Sequence, residues 1–162
     1  MPQVVARAWV PVPPDVAFAV SQTTGATRLR WDPFIREQHL VDAERPGKDV
    51  RTLTRSRVGP GRGLRMVSRY VSYRPPTSVG MTMEEGPWFF ASFGGGWRFE
   101  PEAREGTAGT LASWKYTYAI RPRLLAPVAE PLGQWLLGRE IRARIDAFGT
   151  ACGDPVVLAA VT

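Results

Sequence analysis

The stretch Leu124–Phe148 most constrains what this chain can become. Its 25 residues carry two apolar series at three- and four-residue steps. Leu125, Val128, Leu132 and Trp135 form the first; Leu137, Ile141, Ile145 and Phe148 form the second, and the two are expected to run into one another along one helix. Glu130, Gln134, Arg139, Glu140, Arg142, Arg144 and Asp146 fall between them, where a helix meets water. Glu140 and Arg144 are an i,i+4 pair in the favourable order. Pro127 and Pro131 come early and predict a kink or a separate first turn, while Gly149 and Gly153 supply stop signals. At about 1.5 Å per residue the helix is roughly 35 Å long. No other stretch is as long or as clearly helical, and most of the remainder reads as strands. One curved antiparallel sheet closing over this helix is the economical solution, an α+β fold.

Taken in order, Gln3–Val10 is a β-rich run stopped by Pro11, Pro13 and Pro14. Two short helices follow, Asp15–Ser21 and Thr24–Leu29, and Pro33 turns Asp32 away from helical geometry. Strands are expected at Ile35–Val41, Val50–Val58, Leu64–Tyr73, Ser78–Met83, Trp88–Phe99 and Thr110–Ile120. The loop Gly59-Pro60-Gly61-Arg62-Gly63 joins the second and third of these as a hairpin; without the lysine and following helix of a phosphate loop it is a turn. Short loops between successive strands argue for antiparallel neighbours in sequence order. The residues after Gly153 read as a loose tail. A chain of 162 residues, 44% hydrophobic, without repeats or linkers, is expected to be a single domain.

Composition narrows the function classes. One cysteine, Cys152, excludes an internal disulfide and a four-cysteine zinc site. With no charged-then-apolar leader, it predicts a cytoplasmic protein. No apolar run approaches the ~20 residues of a membrane span, so no stable membrane insertion is expected. The formal charge is +6, and 19 of the 21 basic residues are arginine. They are scattered rather than clustered, and the densest group, Arg51 to Arg65, lacks interleaved aromatics, so a nucleic-acid partner is not expected. His39 is the only histidine, which leaves triad catalysis and a metal site without support, and no cofactor is implied.

Alternation along the strands picks out an inner face. Trp114, Tyr116, Tyr118 and Ile120 share one side, as do Phe89, Ala91, Phe93, Trp97 and Phe99, and Val79, Met81 and Met83. A face this rich in aromatics and methionine fits two arrangements. One is an apolar cavity with a few polar groups, the usual form of a small-molecule site. The other is a closed core in which the same side chains fill the space.

Several strings then resemble a known superfamily: Val10-Pro11-Val12-Pro13-Pro14-Asp15-Val16-Ala17-Phe18, Trp31-Asp32-Pro33, Tyr73-Arg74-Pro75-Pro76, Glu85-Gly86-Pro87, and Gly109-Thr110 leading into Trp114. Their order and spacing resemble the START/birch-pollen-allergen-like (SRPBCC) superfamily, including its polyketide cyclase/dehydrase branch, over about Gln3–Gly149. The resemblance implies a helix-grip fold, in which a seven-stranded antiparallel sheet holds the C-terminal helix around a deep hydrophobic cavity. It also implies a small hydrophobic partner, aromatic or polyketide-like. Trp31, Val67, Met81, Met83, Phe93, Trp97, Trp114, Tyr116 and Trp135 are the candidate ligand-binding residues. In the cyclase branch a strand before the proline-rich turn carries an arginine into the cavity. The matching position is Arg69, expected inside with Val67 and Val71. There it would stabilise a developing oxyanion, with Tyr118 or Tyr116 as hydrogen-bond donor or proton relay. Three readings remain open: a binding module, a cyclase using Arg69, and an interaction protein with a filled core.

Overall fold

A computed structural model describes residues 1–59 and 61–162; Pro60, in the glycine-rich turn, lies outside the described residues. The elements run β1 (Gln3–Val10), α1 (Pro14–Ser21), α2 (Gly25–Trp31), β2 (Ile35–Val41), β3 (Arg51–Ser56), β4 (Arg65–Arg74), β5 (Ser78–Glu85), β6 (Phe90–Pro101), β7 (Thr110–Ile120), α3 (Ala126–Ala151) and α4 (Pro155–Val161). The seven strands form one antiparallel sheet in the order β1-β7-β6-β5-β4-β3-β2. The sheet curves around the long C-terminal helix, which is the helix-grip architecture. The early prolines act as expected: Arg123–Leu125 forms a separate 3-10 turn ahead of α3.

α3 packs mainly on β1 and β7. At Gly133 the helix runs over the Tyr118 ring at contact distance, 3.4 Å from where a β-carbon would stand. The packed face of α3 comprises Leu137, Gly138, Ile141, Ile145 and Phe148. The first apolar series lies on the other side: Val128, Leu132 and Trp135 are exposed. The two series therefore do not merge. Trp135 and Leu137 are two residues apart, a rotation of about 200° on a helix of 3.6 residues per turn.

Two bulges overturn the simple alternation. The β5–β4 register shifts between Tyr70 and Ser72, leaving Val71 as the extra residue. Tyr70 and Tyr73, three apart, consequently share the inner face, their rings 5.7 Å apart. In β6 the register shifts between Phe90 and Ser92. Phe90, not Phe89 and Ala91, joins Phe93 on the inner side, ring centres 5.0 Å apart. An inserted residue inverts the faces on one side of it.

The tail expected after Gly153 is a helix. Asp154 caps α4 by accepting the Val156 N–H at 2.9 Å, and its carboxylate also accepts from Arg30 at 2.7 Å. Pro155 stands at the first turn, where its missing N–H is not needed. Val157 is fully buried in the main core, with Cys152 and Ala151 beside it in the same cluster.

Candidate functional site

The inner face divides into a filled half and an open half. Under the C-terminal half of α3, Trp97 stacks on Trp114 with ring centres 4.2 Å apart and on Phe99 at 5.7 Å. Phe148 of α3 closes over Trp97 at 4.9 Å and meets Trp31 edge-on at 6.0 Å. Trp31, Trp97 and Trp114, expected to shape a cavity, are thus core residues, Trp97 stacked on Trp114 and Trp31 joined to Trp97 through Phe148.

A charged cluster is buried beside them. Asp32, at the end of α2, accepts from Arg28 Nε at 2.8 Å and from Arg144 Nη2 at 2.8 Å. The side chain of Asp32 is fully buried and those of both arginines nearly so. Arg144 Nη1 also donates to the Tyr116 hydroxyl at 2.6 Å, which in turn donates to Glu140 Oε1 at 3.2 Å. The guanidiniums lie over rings: Arg28 over Trp31 at 4.3 Å, Arg144 over Trp114 at 4.4 Å. Such stacking suits the flat, weakly hydrated guanidinium.

Burial opposes the charge on Asp32, but Arg144 and Arg28 outweigh it and hold the carboxyl below its ordinary range. For Glu140 burial wins over Arg144, and its carboxyl titrates above the usual value. Burial raises Tyr116 despite the adjacent Arg144. Glu140 and Arg144, expected toward water, are drawn inward because they flank the Leu137–Ile141 face one turn apart. Arg28–Asp32 and Glu140–Arg144 are both i,i+4 pairs, so the signal for each half was present. Their union, 112 residues apart, was not.

The open half is formed by β2 to β5, which α3 leaves largely uncovered. Met81 and Phe93 are half-buried against the core, and Leu40 joins them from β2. Met83 is also half-buried and pairs with Ser68. The β3–β4 register sets Thr52 opposite Ser68 and Thr54 opposite Met66. Gln38 Oε1 is out of solvent and without a partner, and the Thr52 hydroxyl is out of solvent beside that of Tyr70. Tyr70 stands next in the same row, donating to Gln22 Oε1 at 3.1 Å, and burial raises its pKa to about 12. Sequence reasoning passed over Gln38 and Thr52, since neither residue type stands out in a strand.

Other expected site residues lie elsewhere. Arg69 is on the outer face, donating to Glu84 at 2.6 Å and to Asp49 at 3.2 Å, with its side chain 37% exposed. The physical reason is that Tyr70 faces inward, so its strand neighbour faces out. The unbroken β3–β4 register places Val67 on the same outer side; it is buried but outside the main core cluster. Val71, the bulge residue, is exposed. A cavity arginine at position 69 is therefore corrected; the arginines inside are Arg28 and Arg144. Tyr118 is buried, and its hydroxyl is taken by the Glu130 carbonyl at 3.1 Å. Trp135 points outward beneath Arg139. Two surface hollows, of about 670 and 620 Å³, lie outside the grip, one beside Trp9 and Arg104 and one where Met1 and Pro2 meet the start of α3.

The likeness to known proteins runs over most of the chain. In solved structures the fold recurs in a Thermus thermophilus protein, 20% identical, covering 99% of this chain and 100% of that one with a TM-score of 0.75. It recurs in a START superfamily protein from Mycobacterium smegmatis, 13% identical, covering 93% and 97% with a TM-score of 0.74. A third likeness is to ginseng major latex-like protein 151 from Panax ginseng, 16% identical, covering 86% and 94% with a TM-score of 0.61. No curated protein sequence matches the chain. The model of the family described as polyketide cyclase/dehydrase and lipid transport matches residues 1–153. Fold and family together fit a hydrophobic-ligand-binding helix-grip domain, and the chain belongs to that polyketide cyclase/dehydrase and lipid transport family of the START-like superfamily.

Proposed function

We propose that the protein binds a small, mostly apolar molecule carrying one polar end, seated on the open half of the inner face. The observation that carries this reading is the unpartnered buried Gln38 Oε1 on β2, with the buried Thr52 hydroxyl on β3, on a face that Met81 and Met83 continue on β5 and Phe93 on β6. An orphaned buried polar group costs about 1–3 kcal/mol. A ligand hydroxyl or amide placed there would satisfy it, while methionine and aromatic surface takes up the apolar body.

Binding is favoured over cyclisation because no described cation is free to meet a developing oxyanion on the inner face. Asp32 and Glu140 engage Arg28 and Arg144, and Arg69 is outside. Preorganised donors without other commitments are what such chemistry needs.

Native mass spectrometry of the protein from its own cells, followed by denaturing extraction, tests the reading. A released molecule with an apolar body and a hydroxyl, carbonyl or amide is expected. An empty protein that also ignores apolar fluorescent probes would sink it. Conversion of the released molecule's precursor by the purified protein would move the reading to an enzyme.

A further inference from the structure

The N-terminal half of α3 carries an apolar face that nothing in the fold covers. Leu125, Val128, Leu132, Trp135 and Leu136 are all exposed, Val128 at 77% and Trp135 at 58%. At about 100° per residue the four on α3 share one side of the helix, away from Leu137 and Ile141, which meet the sheet, and Leu125 precedes them in the 3-10 turn. Single exposed leucines are ordinary. A row of four large side chains on one helix face marks a contact surface.

The charges around the row indicate what it meets. Arg139 lies on the same side, its guanidinium 6.0 Å from the Trp135 ring. Arg123, Arg139 and Arg142 form no ion pair among the described residues. Glu130 is the only acidic residue between Arg123 and Arg139, and it is half-buried. Trp88, 75% exposed, stands in the β5–β6 loop where the Arg121 N–H donates to the Phe89 carbonyl at 2.9 Å, close to the start of the helix. A helix that is apolar on one side, edged by arginine and flanked by tryptophan has the character of one lying in a membrane interface.

We propose that this face docks the protein reversibly on an anionic lipid surface, with α3 lying in the headgroup plane. A second copy of the chain would bring the same three arginines to the contact. Anionic headgroups above an acyl layer supply both complements at once: negative charge for Arg123, Arg139 and Arg142, and apolar depth for Val128, Leu132 and Trp135. Among the described residues no helix is long and apolar enough to cross a membrane, and the proposed association is peripheral.

Co-sedimentation of the full chain with vesicles tests this. Binding is expected to phosphatidylcholine–phosphatidylglycerol vesicles, weak binding to phosphatidylcholine alone, and release as salt is added. Leu132→Glu and Trp135→Glu, both at exposed positions, should abolish binding with an unchanged circular dichroism spectrum. Arg139→Glu with Arg142→Glu should lower the partition coefficient at least roughly tenfold. Wild-type protein that stays in the supernatant with anionic vesicles overturns the proposal. So does vesicle binding that survives both glutamate variants. A dimer in sedimentation that Leu132→Glu dissolves, without vesicle binding, would reassign the face to a protein contact. None of these outcomes depends on the ligand proposed for the inner face.

Discussion

The guanidinium of Arg144 holds the carboxylate of Asp32 at 2.8 Å across the interior, tying the long helix to the end of α2. Arg28 shares the same carboxylate, while Arg144 also has Glu140. Asp32→Asn would leave Arg28 without a carboxylate partner. We expect a loss of about 3–5 kcal/mol in unfolding free energy, the usual cost of breaking a buried pair from one side. Urea denaturation measures it, and a loss under about 1 kcal/mol would mean that water reaches the cluster.

Stability should depend on pH in two opposite senses. The Asp32 carboxyl titrates lower in the folded protein than in the unfolded chain. Its contribution is therefore complete above about pH 4 and is lost as pH falls through the folded value. The Glu140 carboxyl titrates higher when folded. Its contribution is present below the ordinary glutamate value of about 4.3 and is lost as pH rises through the raised folded value. Glu140→Gln should flatten the alkaline side of that profile and leave the acid side intact. Urea midpoints measured across pH 3 to pH 9 for both proteins check this; parallel profiles would contradict it.

Thr52 offers a way to separate stability from binding. Thr52→Val replaces a buried hydroxyl beside that of Tyr70 with a methyl of similar size. The stability of the empty protein should change by no more than about 1 kcal/mol. Affinity for a ligand recovered from cells should instead fall roughly tenfold, the worth of one hydrogen bond. Thermal unfolding and calorimetric titration of the same variant give both numbers. Equal affinity would remove Thr52 from the site.

Arg69 and Trp97 should behave in contrary ways. Arg69→Ala breaks partly exposed surface pairs with Glu84 and Asp49 and should leave the urea midpoint nearly unchanged. Ligand binding should not change. Trp97→Ala opens a hole between Trp114, Phe99 and Phe148 and should cost about 3–5 kcal/mol. Denaturation and ligand titration of the two variants are the check; an Arg69 variant that folds normally yet loses ligand would return Arg69 to the site.

Most of the architecture can be read from the residues alone. Prolines and glycines mark the turns, alternation marks seven strands, and three- and four-residue steps mark α3. These signals are local, and local backbone preference suffices for them. Even two corrections were readable: Trp135 and Leu137 stand about 200° apart on any helix, and Asp154-Pro155 opens α4 with a capping residue and a first-turn proline. The inner face was not readable. Val71 and Ala91 are ordinary strand residues, and only pairing with the neighbouring strands makes each of them the extra one. One inserted residue inverts every side chain beyond it. That inversion puts Arg69 outside and Phe90 inside. The joining of Asp32 to Arg144 likewise belongs to the tertiary structure, because two i,i+4 pairs far apart in sequence meet only when the sheet bends the chain back under its last long helix.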